Sequence, residues 1–233
     1  MKIDVKLVYF LLLIAFTLLS LFIFDFIIFV VIVSFLLIYR WYGLKLALIS
    51  LISVFLIALF FEILGVNFGI PFGKYYYSNI LGVKLFAVPI SVPLMWFSFI
   101  GIAYLIAGNP LIGALLPTAL DLLMDPYMSG HGWFWQTKLL NFYYGIPLSN
   151  FIGWYFVSLV LIFCLRFILK SKQIKSIFPH FTYLLIIAFW TIKDAENNLF
   201  TASFIGIIIV GIFVILSYKS LKLSKRFKLS KGP

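Results

Sequence analysis

Long uncharged apolar segments alternate with short polar breaks along the whole chain. Eight apolar segments can be distinguished, at residues 7–24, 26–39, 44–64, 85–107, 110–124, 146–169, 181–192 and 199–218. Several approach or exceed the roughly 18 to 20 residues that cross a hydrocarbon core of about 30 Å. Because they are continuously apolar and a backbone in lipid must satisfy its own hydrogen bonds, we expect helices rather than a β-barrel. The pattern predicts an all-α, polytopic integral membrane protein with about eight transmembrane helices.

The first two segments are the least clearly divided part of the pattern. As one straight helix, residues 7–39 would extend about 50 Å at a rise of 1.5 Å per residue, which is too long for a single span. A hairpin that turns near Asp25 fits a bilayer better, although no Gly or Pro marks the turn. The alternative, one span over this stretch, would give seven helices.

Composition and charge agree with a membrane location and indicate an orientation. With 64% hydrophobic and 11% charged residues, the chain has too much apolar surface for a water-soluble globule. In the eight-span arrangement with a cytoplasmic start, most Lys and Arg residues fall on the cytoplasmic side, as the positive-inside rule requires, and seven spans would break this sorting. We therefore expect a multi-pass protein of the cell (cytoplasmic) membrane with both termini in the cytoplasm.

The domain organisation follows from the same pattern. Residues 1–218 are expected to form a single transmembrane domain, and residues 219–233 a basic cytoplasmic tail on the membrane surface. Lys2 and Lys6 precede an apolar stretch without a clear cleavage site, which favours a retained first helix over a signal peptide. The net charge of +11 comes from residues that flank apolar segments, so we expect no nucleic-acid partner.

Two polar stretches, residues 62–77 and 121–154, contain most of the candidate chemistry. The first contains Glu62, several glycines and three consecutive tyrosines, and the second contains two aspartates, a histidine and three tryptophans. Both stretches fall on the non-cytoplasmic side in the eight-span arrangement. We therefore expect them to share one site.

Three carboxyl groups in these stretches are candidates for acid catalysis. Asp121 and Asp125 are four residues apart, so both project from one face of a helix, where two charges in a low dielectric resist joint ionisation. Pro126 is expected to end that helix and to leave Asp125 at the negative end of its dipole. These effects favour the neutral acid, the form that a general acid requires. Glu62, just before an expected helix end at Gly65, is the third candidate.

Structural roles are the alternative for these residues. The carboxylates could cap loops or pair with His131 or Lys138, although an ionisable residue inside a membrane segment is costly and is therefore usually functional. The aromatic residues could instead form the belt at the lipid–water interface: Tyr75, Tyr76, Tyr77, Trp133, Trp135 and Trp154.

Metal and cofactor chemistry have little support in the sequence. An Asp-x-x-x-Asp pair could bind Mg²⁺ in a prenyltransferase, but a second acidic motif and phosphate-binding Arg or Lys residues are not found. Cys164 is the single cysteine and lies within an apolar segment, which leaves no Cys-based metal site. We expect neither a metal nor a cofactor.

At the two polar stretches the sequence resembles the carotenoid biosynthesis membrane-protein family that contains the carotenoid 1,2-hydratases. The likeness covers roughly residues 55–165, and the matching residues are Glu62, Gly65, Gly69, Gly73, Tyr75, Tyr77, Pro89, Pro93, Trp96, Asp121, Asp125, Pro126, Trp133, Trp135, Gly145, Pro147, Asn150, Gly153 and Trp154. The resemblance implies a cofactor-independent addition of water across the terminal 1,2 double bond of an acyclic C40 or C50 carotenoid, giving a tertiary alcohol.

The candidate residues suit that reaction. Protonation of an isolated alkene needs a neutral carboxylic acid, which Asp121, Asp125 or Glu62 could supply. Aromatic faces could stabilise the resulting carbocation, and Asn150 or His131 could orient the water. The expected substrate-binding residues are Tyr75, Tyr77, Trp96, His131, Trp133, Trp135, Asn150 and Trp154.

The expected partners are the lipid bilayer and the carotenoid, with other enzymes of the same pathway as further candidates. Two functions remain as alternatives to hydration: a non-catalytic isoprenoid-binding or carotenoid-binding membrane protein, and the Mg²⁺-dependent prenyltransferase.

Overall fold

The computed structural model describes residues 23–107, 109–141, 143–170 and 176–229. In this part of the chain the helices are α1 (Ile23–Tyr42), α2 (Leu44–Phe68), α3 (Ser91–Ile106), α4 (Pro110–Met128), α5 (Leu148–Leu169), α6 (Phe178–Glu196) and α7 (Phe200–Leu229). The short strands are β1 (Tyr75–Tyr77), β2 (Lys84–Leu85), β3 (Val88–Pro89) and β4 (Trp133–Trp135).

Four helices of the described residues have the length and apolar composition of membrane spans. They are α2, α4, α5 and the Phe200–Ser217 part of α7, and the shorter Phe26–Tyr42 and Ser91–Ile106 helices are also apolar. Large apolar side chains such as Phe60 and Phe167 point outward from the bundle, 57% and 87% exposed, as expected where lipid is the solvent. The protein is therefore an all-α, polytopic membrane protein, as the sequence predicts.

The first predicted segment, residues 7–24, lies almost wholly outside the described residues. Helix α1 begins at Ile23 and contains Asp25, so the chain does not turn at Asp25 itself, and the rest of the predicted hairpin lies outside the described residues. At the other end of the chain, α7 continues helically to Leu229, beyond the predicted start of the tail at residue 219.

Helix α3 lies at the centre of the bundle. It packs against α1, α2, α4, α5 and α6, and nearly all of its side chains are buried, among them Trp96, Phe97 and Phe99. This central position explains why its sequence is apolar on every face. The predicted segment 85–107 is nevertheless longer than this helix, because residues 84–89 form the β2–β3 hairpin before α3 begins at Ser91.

Two predicted helix ends are wrong, and both have a physical reason. Helix α4 continues past Pro126 to Met128. Pro126 cannot donate to the carbonyl of Leu122, and the hydroxyl of Tyr143 donates to that oxygen instead, at 2.8 Å. Helix α2 continues past Gly65 and ends at Phe68, and Gly69 follows with a φ of 75°, the left-handed cap that favours glycine.

A small antiparallel sheet joins the two polar stretches. Strand β1 follows α2, β4 follows α4, and the register places Tyr75 opposite Trp135 and Tyr77 opposite Trp133. Backbone bonds extend the pairing at both ends, from Ser78 N to the Gly132 carbonyl at 2.9 Å and from Gln136 N to the Lys74 carbonyl at 2.8 Å. The expectation that the two stretches lie together is confirmed.

Candidate active site

Two helices and the β1–β4 sheet bring the carboxyl groups to one end of the bundle. Glu62 lies near the C-terminal end of α2, and Asp121 and Asp125 lie in the last two turns of α4. All three side chains are buried. A cavity with a volume of about 20 Å³ opens beside them, lined by Glu62, Phe72, Tyr75, Tyr77, Val92, Met95, Asp125, Trp133, Trp135, Asn150 and Trp154.

Glu62 accepts hydrogen bonds on both of its oxygens. The hydroxyls of Tyr75 and Tyr77 donate to Oε2, the latter at 2.6 Å, and Trp96 Nε1 donates to Oε1 at 2.7 Å. Because side chains alternate along a strand, Tyr75 and Tyr77 both face inward while Tyr76 between them is exposed. Three donors on one buried carboxyl is the arrangement expected around an acceptor-only carboxylate.

The environment of the two inward tyrosines keeps them neutral. Burial raises the pKa of Tyr75 and of Tyr77 well above its usual value, and the negative charge of Glu62 raises the pKa of each phenol further. Both hydroxyls therefore remain hydrogen-bond donors to Glu62 across the physiological pH range.

The two aspartates are joined by one amide nitrogen. Asn150, in the first turn of α5, donates through Nδ2 to Asp121 Oδ2 at 2.7 Å and to Asp125 Oδ2 at 2.6 Å. Trp133 Nε1 donates to Asp125 Oδ1. Asp121 Oδ1 has no hydrogen-bond partner among the described residues. Asp125 thus faces the cavity, and Asp121 lies behind it on the same helix face.

Aromatic rings form the walls around these groups. Trp96 stacks on Trp154 with centroids 4.1 Å apart, and Tyr75 and Trp135 lie 5.0 Å apart across the sheet. Trp133 packs edge-on against Tyr77. Since most of these rings are buried in the protein, they do not form a lipid-facing belt.

Two glycines allow the walls to approach this closely. A Cβ on Gly65 would lie 2.7 Å from the hydroxyl of Tyr75, and a Cβ on Gly153 would lie 2.8 Å from the ring of Phe72. Both contacts are shorter than packed carbon atoms tolerate, so each position requires glycine for the present packing. Gly65 is therefore needed for the placement of Tyr75, and it does not end the helix.

Most predicted site residues meet at the cavity, and a few do not line it. Trp96 and Asp121 touch the site through Glu62 and Asn150. His131 is exposed: its Nδ1 pairs with the Tyr127 carbonyl at 2.8 Å, and its ring stacks on that of Tyr127. The structure does not bring His131 to the cavity, and its expected role in substrate binding stays a prediction.

Sequence reasoning missed the apolar part of the lining. Phe72 lies between Pro71 and Gly73 inside the first polar stretch, so its neighbours offered a signal, whereas Val92 and Met95 look like any other apolar helix residues. Within the described residues, no group of three His, Cys, Asp or Glu side chains is arranged to hold a metal ion.

Comparison with known proteins gives one family and one curated relative. The sequence model of the family described as carotenoid biosynthesis protein matches residues 22–213. The chain is 32% identical over 119 residues to a protein of Haloarcula japonica named bisanhydrobacterioruberin hydratase. That alignment covers 46% of this chain and 40% of the relative, so the chain matches less than half the length of that relative. No solved structure gives a significant match.

Proposed function

Because the chain belongs to the carotenoid biosynthesis protein family, we propose that it adds water across the terminal 1,2 double bond of an acyclic carotenoid. The observation that carries the proposal is the cavity itself. It has room for about one water molecule, and Glu62, Asp125 and Asn150 border it among aromatic walls. The relative named a hydratase supports the same reaction class.

The substrate of this reaction is an acyclic polyene with a C40 or C50 skeleton. Such a hydrocarbon dissolves in the bilayer, and the site lies at one end of a membrane bundle with apolar residues Phe72, Val92 and Met95 in its lining. The end group is the part that has to reach the opening of the cavity, because only its terminal double bond reacts.

Asp125 is the proposed general acid. It reaches the cavity, and it shares the amide of Asn150 with Asp121. Two carboxyl groups held by one donor in a water-poor site resist joint ionisation, so we infer that this pair holds a proton. Transfer of that proton from Asp125 to C2 of the end group breaks the double bond and leaves a tertiary cation at C1.

Glu62 and the aromatic walls stabilise the cation. With three donors from Tyr75, Tyr77 and Trp96, Glu62 is arranged as a carboxylate, and its negative charge borders the cavity. The ring faces of Trp135 and its neighbours add cation–π attraction, worth about 2 kcal/mol in a site without bulk water. Both contributions grow as positive charge develops, as catalysis requires.

Water completes the reaction without a redox partner or a cofactor. A water molecule in the cavity, held by Asn150 and Glu62, attacks the cationic carbon C1 and forms the carbon–oxygen bond. Its surplus proton passes to Glu62 and returns through the next water to the Asp121–Asp125 pair. One water is consumed and no net proton is released.

The proposed function also includes the orientation of the protein in the membrane and its protein partners. The protein lies in the cytoplasmic membrane as a single transmembrane domain over residues 1–218, with both termini and the basic segment 219–233 in the cytoplasm. The site is then on the opposite face, where water is available from outside. Other enzymes of the pathway that act on the tertiary alcohol are the proposed protein partners.

Pigment analysis tests the function. The protein is expressed in hosts that make lycopene or an elongated C50 carotenoid, and the pigments are separated by chromatography and weighed by mass spectrometry. We expect a gain of one water with at least one substrate. Unchanged pigment that copurifies with the protein would instead indicate the binding protein, and loss of hydration in EDTA would contradict a reaction without a metal.

A further inference from the structure

The hairpin between α2 and α3 exposes an unusual amount of apolar surface. Around the β2–β3 pair, Ile80, Val83 and Phe86 are 61%, 76% and 70% exposed. These residues lie outside the helices, in a segment that would meet water if the hairpin projected from the membrane. Large apolar side chains exposed so close together in sequence indicate a contact with lipid or with another protein.

The turn of the hairpin holds a bulky apolar side chain in an unfavourable conformation. Phe86 and Ala87 form the two-residue connection between Leu85 and Val88, and their φ angles are 50° and 68°. Two positive φ angles in such a turn favour Asn-Gly, because most side chains are strained there. An aromatic residue at such a strained position suggests a use for its side chain.

The charge in the hairpin is turned away from the tip. Lys84 Nζ donates to the carbonyl of Tyr77 at 2.7 Å and to Asn79 Oδ1 at 2.9 Å. The ammonium is thereby held at the base of the hairpin beside β1. A lysine that directs its charge back from an apolar tip is the arrangement seen where the tip enters a membrane.

The position of the hairpin identifies lipid as the partner. Strand β3 packs against α2, a membrane span on which large apolar residues such as Leu56 and Phe60 face outward. The exposed hairpin therefore lies beside a helix whose outward side chains face lipid. Its two ends border the cavity, since Tyr77 precedes it and Val92 follows it.

We propose that the tip of the β2–β3 hairpin, with Phe86 at its turn, inserts into the lipid bilayer and forms the lipid-side lip of the cavity. The polyene end group enters from the acyl chains past this lip. The entry route rests on the proposed function, whereas insertion of the tip does not.

Depth-dependent fluorescence tests the insertion directly. In a Cys164→Ser background, single cysteines at Phe86 and at exposed Lys138 are labelled with a polarity-sensitive dye, and each protein is reconstituted in phosphatidylcholine vesicles. The Phe86→Cys label should emit at shorter wavelength and be quenched by nitroxide-bearing phosphatidylcholine, while the Lys138→Cys label should be quenched by aqueous iodide. Iodide quenching at both positions would overturn the proposal.

A pair of turn variants tests the entry route. Phe86→Asn with Ala87→Gly suits the turn and removes the apolar tip, while Ala87→Gly alone relaxes the turn and keeps it. For a carotenoid in vesicles, the double variant should raise KM about tenfold with kcat unchanged, and the single variant should match the parent. Equal KM values in all three proteins would refute the entry route. Absence of hydration in the parent would refute the proposed function and leave the depth measurement standing.

Discussion

Tyr75 lies directly opposite Trp135 across the β1–β4 pair, with ring centroids 5.0 Å apart. One of these residues follows α2 and the other follows α4, so the pairing fixes the two loops against each other. The same strands direct Tyr77 to Glu62 and Trp133 to Asp125. The sheet therefore sets the positions of two carboxyl groups that come from separate helices.

Replacement of the proposed acid should remove activity. Asp125→Asn keeps the shape of the side chain and its contact with Trp133 but cannot donate an acidic proton, so we expect hydration to fall at least about 100-fold. Asp121→Asn removes the partner with which the proton is shared and should cost less. Both variants are assayed by pigment conversion in membranes containing equal amounts of inserted protein.

The matched control for the aspartates is Glu196→Gln. Glu196 is an exposed acid whose oxygen pairs with Lys193 at 2.9 Å, on a helix end away from the cavity lining. It should convert pigment at the parental rate. If Asp125→Asn and Asp121→Asn did the same, the two buried carboxyls would be structural.

The alternation of buried and exposed tyrosines along β1 leads to a second prediction. Tyr75→Phe and Tyr77→Phe each remove a donor to Glu62, and loss of a hydrogen bond to a charged group costs about 1.5 to 3 kcal/mol, or roughly ten- to 100-fold in kcat/KM. Tyr76→Phe changes the exposed tyrosine between them and should have little effect. Equal rates for all three variants would contradict the role given to Glu62.

Alkaline titration tests the environment of the same tyrosines. Their pKa values are raised in the folded protein, so the folded state holds these protons more tightly than the unfolded chain. Their contribution to stability is complete below pH about 10 and is lost as pH rises through the folded-state pKa values. At a pH just above about 10, where free tyrosines ionise, the tyrosinate absorbance of the folded parent and of folded Tyr75→Phe/Tyr77→Phe should agree, and it should differ after denaturation. A difference in absorbance already present between the folded proteins would show that the pKa values of Tyr75 and Tyr77 are not raised.

The close packing around Gly65 predicts that a larger side chain at this position disturbs the site. Gly65→Ala would press a methyl group against the hydroxyl of Tyr75, and such overpacking costs about 1 to 3 kcal/mol and should displace the tyrosine. We expect a lower thermal midpoint and reduced hydration. Gly211→Ala, on α7, meets no atom of the described residues within 4 Å, so it should leave hydration unchanged and should not lower the thermal midpoint, because Ala favours a helix more than Gly does. A Gly65→Ala protein as active and stable as the parent would exclude this packing role.

The helices and the grouping of the site follow from sequence patterns, because hydropathy and the cost of charge in lipid are local properties. Segments 44–64, 110–124 and 146–169 each correspond to a helix, and the two polar stretches meet as expected. The ends of those helices depend on distant contacts. Nothing near Pro126 indicates that Tyr143 satisfies the Leu122 carbonyl and lets the helix continue.

The hydrogen-bond partners within the site could not be predicted from neighbouring residues in the sequence either. The donation of Asn150 to both aspartates depends on how α5 packs against α4, and Asn150 and Asp121 are 29 positions apart in sequence. His131 is a different case: its chemistry suggested a role near the water, its ring stacks on Tyr127 outside the cavity, and that role stays a prediction. The residue types in the sequence indicate which side chains could act in the site. Which of these side chains lie together depends on tertiary packing.

Isotope incorporation measures the central claim most directly. Membranes containing the protein and its acyclic carotenoid are incubated in D2O or in H2(18O), and the product is analysed by mass spectrometry. We expect deuterium on the carbon beside the tertiary alcohol, heavy oxygen in the hydroxyl group, and neither product with Asp125→Asn. Unchanged carotenoid with both C40 and C50 substrates, or a hydroxyl oxygen that does not come from water, would contradict the proposed hydration.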